Sequence, residues 1–288
     1  MLIAAFIKPL YSLMIHSAAT DLHSHILLVP FISAYLLYIK RKQLPREYIF
    51  SPAPAIIPMV AGLASLAAPL DVQAWGWSLS QNDFLALMAL AFVCFLAAGG
   101  FLFLGRKWMA AAAFPIAFLV FMIPLPDRAV ECLETTFKLA STDVAHLFFI
   151  LSGTPVLRDG TVFQLPGILF EVGQECSGIH SSLVLFITSL LASDLFLSSP
   201  WRRALLVAFV IPLGILRNGF RIFVIGLLCV QMGPNMIHSI IHKQGGPAFF
   251  ALSLLPLFLL LWWLRRCEIG TRGQSSKLKI RRALDNKL

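Results

Sequence analysis

The chain has 288 residues, 58% of them hydrophobic and 13% charged, with 24 Phe and a formal net charge of +9. A soluble domain of this length cannot hide so much apolar surface, so the composition is that of an integral membrane protein. The positive charge gathers in short clusters beside hydrophobic runs, as topology determinants do, and no basic soluble face with interleaved aromatics exists to bind nucleic acid.

The apolar runs are long and lack the alternation of barrel strands, so the expected spans are helical. Residues 1–20 carry Lys8 in an apolar stretch and no small-residue cleavage site. They read as a first membrane or interfacial helix rather than a removed signal peptide. Further spans are expected near 24–39, 53–70, 83–104, 108–125, 176–195, 204–220 and 247–264. The expectation is an all-α polytopic membrane protein of about seven to eight transmembrane helices. It would form a single membrane domain over 1–264, with an outer segment at 126–175 and a basic cytoplasmic tail at 265–288.

Orientation follows from alternate connections. Lys40, Arg41, Lys42 and Arg46 follow the 24–39 run, and Arg106 with Lys107 separates 83–104 from 108–125. Arg202 and Arg203 precede 204–220, and Arg265 with Arg266 ends the last run. All of these can be cytoplasmic, which puts 71–82 and 126–175 on the outer face.

Within the outer segment, 129–152 reads as an amphipathic or partly immersed helix ended by Gly153 and Pro155. Val156 to Phe163 then reads as a short hairpin around Asp159-Gly160, followed by extended chain to Glu175. The tail after Arg266 reads as disordered and held near anionic headgroups.

Chemistry concentrates at Glu175-Cys176-Ser177-Gly178, where a polar segment enters an apolar helix. Cys176 at a helix N-terminus would be favoured as thiolate, against the bland alternative of a small buried thiol. Five cysteines without a CxxC pair give no disulfide scaffold. Arg217 and Arg221 lie toward the outside, against the positive-inside bias, and need a partner or a task. The partner would be Glu171, Glu175 or Asp143; the task would be donation to a thiolate or oxyanion. His238 and His242 share a helix face at i, i+4 spacing, but no third ligand stands out, so neither metal nor cofactor is expected. His242 is a candidate base for the thiol, and His180, one turn after Cys176, is its rival.

The run Phe170-Glu171-Val172 through Glu175-Cys176-Ser177-Gly178, then Asn218-x-x-Arg221, then His242 before Gly246, resembles the exosortase/archaeosortase family over roughly residues 110–264. The resemblance implies a membrane cysteine transpeptidase. Its clients would be exported proteins with a C-terminal signal: a short motif, a transmembrane helix and a basic tail. It further implies Cys176 as nucleophile, Arg221 as stabiliser of thiolate or transition state and His242 as third member, on the outer face of the plasma (inner) membrane. His180 and Lys243 depart from the family pattern, leaving the base open between His242 and His180. Membrane lipids are the other expected partners. The rival readings are a transporter or channel with outward Arg/His pathway residues, a nonenzymatic assembly protein, and an intramembrane hydrolase using the same residues.

Overall fold

A computed structural model describes residues 1–45, 48, 50–74, 79–174, 177–232 and 246–285, with the backbone alone for 71–74 and 270–285. Among the described residues, six helices are long and apolar enough to cross a membrane: Asp21–Gln43, Pro52–Leu70, Gln81–Phe103, Ile179–Phe196, Pro200–Met232 and Gly246–Ile269. A seventh is counted if Ala113–Met122 and Asp127–Leu151, bent by 90° at the break between them, form one span. The chain divides into two compact units, Met1–Cys132 and Leu133–Leu288.

The first unit opens with a helical turn at Leu2–Ala5 and helix α1, Ile7–Ala19. A 3-10 turn over Asp21–Leu27 leads into α2, Val29–Lys40, whose Pro30 sits in the first turn, where no N–H is needed. Next come α3, Pro52–Ala74, and α4, Gln81–Phe103, which Ser80 caps by accepting from the Asp83 N–H at 3.0 Å.

The expected straight span 108–125 is instead broken into α5, Arg106–Ala111, α6, Ala113–Phe118, and a 3-10 turn at Leu119–Met122. Proline is the cause. Pro115 has no N–H to bond Ala111, and Pro124 and Pro126 stop the helix before it spans. Ser33 Oγ donates to the Pro115 carbonyl at 2.7 Å and ties α2 to the broken segment.

The two ends of the α3–α4 pair meet different connections. At one end the Arg106 N–H points at Ser51 Oγ, 3.4 Å away. At the other, Asn82 Nδ2 donates to the Leu125 carbonyl at 2.7 Å and to Asp127 Oδ1 at 2.8 Å. There Asp83 Oδ1 also accepts from the Asp127 N–H at 2.9 Å. Ser51 thus meets the Arg106 turn at one end of the pair, and Asn82 and Asp83 meet the Leu125–Asp127 turn at the other.

Helix α7, Asp127–Leu151, runs on into the second unit and ends at Gly153 in the left-handed conformation. Strands β1, Leu157–Asp159, β2, Val162–Leu165, and β3, Ile168–Glu171, form an antiparallel sheet in that order. The hairpin at Asp159-Gly160 is present, with Asp159 paired to Val162. The chain beyond it is not simply extended, because Leu165 pairs with Ile168 across a second turn. Pro166-Gly167 makes that turn: proline presets the first corner, and Gly167, at φ 81°, takes the second. The sheet is held by Phe163, fully buried among Phe149, Leu165, Val172 and Ile222, and by an Arg158–Asp143 ion pair of 2.7 Å.

Helix α8, Ile179–Phe196, α9, Pro200–Met232, and α10, Gly246–Asp285, pack around Leu185, Leu206, Leu213, Leu257 and Leu261. Their shared end carries the basic residues. Glu268 accepts from the Ser198 N–H at 3.1 and 3.2 Å and lies 4.0 Å from Arg202, while Arg203 meets Asp194 at 3.0 Å.

Helix α9 is one continuous element of 33 residues with Pro212 inside it. At the α-helical rise it is about 50 Å long, more than a hydrocarbon core of about 30 Å. The stretch after Arg221 therefore extends the span rather than making a separate one. The tail after Arg266, expected to be irregular, continues α10 to Asp285. No proline interrupts it, and its last stretch, Lys277 to Leu284, is rich in helix-forming Lys, Arg, Leu and Ala.

Candidate functional site

Glu175, Cys176, His238 and His242 lie outside the described residues, whereas Arg221, Arg217, Asn218, Ser177, Gly178 and His180 lie within them. After β3 the chain is held at Val172, whose N–H donates to the Thr161 carbonyl at 3.0 Å and whose side chain packs in the cluster with Ile222. The Ser177 N–H donates to the Gln174 carbonyl at 2.9 Å, and the buried Ser177 leads into Gly178.

Gly178 is the N-cap of α8, with φ 69° and ψ 12°, so the helix starts at Ile179. The sequence predicts a helix from residue 176; α8 begins at Ile179. The left-handed residue at 178 forces the difference, since it cannot be part of a right-handed helix. His180 is half-buried in the first turn of α8, beyond the Gly178 bend.

Gly178 is required for a second reason. A Cβ at this position would lie 2.7 Å from Asn218 Oδ1. Asn218 is only 1% exposed, so it has no room to retreat. The loop therefore rests directly on α9.

Arg217 closes the contact. Its Nη2 donates to Ser181 Oγ at 2.6 Å, to the Gly178 carbonyl at 3.2 Å and to Ser182 Oγ at 3.2 Å. The two hydrogens of Nη2 are shared among these three acceptors. The sequence reading marked Arg217 as an arginine out of place but did not find this clamp. Its signal was available in Ser181 and Ser182, two small hydroxyls in the first turn of an otherwise apolar span.

Arg221 is half-buried one turn further along α9, on the same face as Arg217. Its neighbour in the chain, Ile222, belongs to the buried cluster that contains Val172. Asp143, one of its possible acidic partners, is engaged by Arg158 of β1. The order Val172, Ser177-Gly178, Arg217-Asn218 and Arg221 is thus gathered in space as well as spaced in sequence.

The family model described as transmembrane exosortase matches residues 17–259. The chain belongs to the transmembrane exosortase family. The match begins well before residue 110, so the early spans of this exosortase-family protein belong to the family pattern too. No curated protein and no solved structure matches the chain. Family membership is consistent with a membrane peptidase or transpeptidase, a multispan setting and protein substrates.

Proposed function

We propose that this exosortase-family protein is a membrane-embedded cysteine transpeptidase, with Cys176 as nucleophile, Arg221 as stabiliser and His242 as proton carrier. Its clients are exported proteins whose C-terminal signal combines a short motif, a transmembrane helix and a basic tail. The site faces the outer side of the plasma membrane. The observation that carries the reading is the double seating of Gly178 on α9, by Asn218 packing and by Arg217 at 3.2 Å. It ties the segment that contains Cys176 to the helix that carries Arg221.

In the reaction, the Cys176 thiolate attacks the carbonyl carbon of the client's scissile peptide. Arg221 donates to the charge that gathers on the carbonyl oxygen. The C–N bond breaks, and the departing amine, still joined to the client's helix and tail, takes the proton that His242 carries. An acceptor amine or water then attacks the thioester and gives its proton to His242, and the C–S bond breaks to release the thiolate.

The test is to express the chain with a candidate client and compare it with Cys176→Ala at matched protein level. Loss of client shortening, together with a thiol-linked adduct mapped to Cys176 in the parent protein, is the expected result. Unchanged processing by Cys176→Ala would remove the cysteine mechanism.

A further inference from the structure

Between α9 and α10 lies an apolar groove of about 410 Å³, walled by Leu213, Leu216 and Phe220 on one side and Leu252, Leu255 and Leu259 on the other. Leu216, Leu255 and Leu259 are exposed, so the groove opens sideways from the second unit. Among the described residues, Arg217 is the one charged member of its lining. Arg217 is 8% exposed, and while Nη2 holds Gly178 and the two serines, Nη1 is buried without a partner among the described residues. A buried donor left unmade is costly, which points to a ligand atom that completes it.

Pro256 lies inside α10 and also lines the groove. It has no N–H for the Leu252 carbonyl one turn before it, so that carbonyl lacks its helical donor. A single buried donor in apolar walls suits the one carbonyl oxygen of a peptide group; a phosphate would bring several charged acceptors into walls that cannot satisfy them.

Depth argues the same way. Arg217 stands about 21 Å along α9 from Arg203, within a hydrocarbon core of about 30 Å. Lipid phosphates lie outside that core, whereas backbone carbonyls of a spanning peptide occur throughout it.

We infer that this groove docks the client's transmembrane segment, with Arg217 Nη1 donating to a backbone carbonyl where that segment leaves its helix for the extended cleavage stretch. The inference rests on the transpeptidase reading and adds where the client binds. Because one guanidinium holds both the Gly178 carbonyl and the client, docking sets the register of the client against the loop of Cys176. Arg217 is in this sense a positioning residue.

The experiment uses the full chain carrying Cys176→Ala, in lipid nanodiscs, with a synthetic tripartite tail. A photo-crosslinking amino acid is placed at Leu216 or Leu255, and at Phe31, an exposed residue of the first unit, as control. Client adducts at 216 and 255 but not at 31, weakened at least about tenfold when Leu213→Trp fills the groove, are the expected result. Adducts to lipid alone at 216 and 255, while the client is still retained, overturn the groove and leave the transpeptidase reading standing. If the client is neither retained by this variant nor processed by the parent chain, both readings fall. As a second readout in the active protein, Arg217→Met should raise KM more than it lowers kcat, with Arg217→Lys recovering part of the loss. A fall in kcat alone would overturn the positioning role.

Discussion

Asn218 Oδ1 stands 2.7 Å from where a side chain on Gly178 would begin. The last residue of the Cys-Ser-Gly block and the first residue of Asn-x-x-Arg are therefore one contact, although 40 positions separate them in the chain. We predict that Gly178→Ala lowers processing at least about tenfold. Left-handed strain alone amounts to about 1–2 kcal/mol, before the overlap with Asn218 is counted. Adding Asn218→Ala should relieve the overlap but not the strain. A double-mutant cycle read by processing rate and thermal unfolding will then be non-additive. Additive losses would mean that the two residues act separately.

For Arg221→Lys we predict a fall in processing of about 10²–10³-fold, the usual loss for a donor aimed at a developing oxyanion. Lysine keeps the charge and gives up the fork. The melting temperature should stay within a few degrees, by the size of surface and half-buried substitutions. A large melting shift with proportionate loss of activity would make Arg221 a structural residue.

The spans, the basic connections, the amphipathic helix and the first hairpin were legible because hydrophobic period, charge and turn residues are local properties. The broken span near 108–125 was less so, since a hydropathy reading counts the apolar side chains around Pro115 and passes over its missing N–H. The third strand was hidden in Leu165-Pro166-Gly167-Ile168, whose turn chemistry is plain only once the partner strand is in register. The Arg217 clamp was hidden for a different reason. It depends on which face of α9 meets α8, and that is decided by packing far from either motif.

Phe163→Ala should destabilise the second unit by about 3–5 kcal/mol, because the ring is fully buried against Phe149 and Phe170. Amide exchange in 157–171 and thermal unfolding report it. Faster exchange across the sheet with α8 unaffected is the expected pattern; no change in either measurement would show that the sheet does not depend on this ring.

Glu268→Gln should cost about 1–3 kcal/mol by weakening acceptors that serve Ser198 and Arg202. Processing measured well below the melting transition should be unaltered, since this contact lies at the opposite end of α9 from Arg221. A processing defect at unchanged stability would contradict that separation.

Orientation can be checked with single cysteines in a cysteine-free chain. Ser80→Cys, near the Asn82–Asp127 contact, should react with a membrane-impermeant maleimide added outside intact cells. Ser198→Cys, beside Glu268, should react only after the membrane is opened. The reverse pattern would invert the topology.

Pro212 divides α9 between two fixed stations, Arg203 on Asp194 and Arg217 on the Gly178 loop. Its ring removes one rung of the helix ladder midway between them. A load applied at the Arg203 station would thus be relieved at that joint. Above that joint Arg217, Asn218, Arg221 and the sheet seated on Ile222 would travel as one tool head, their mutual spacing preserved while the handle flexes.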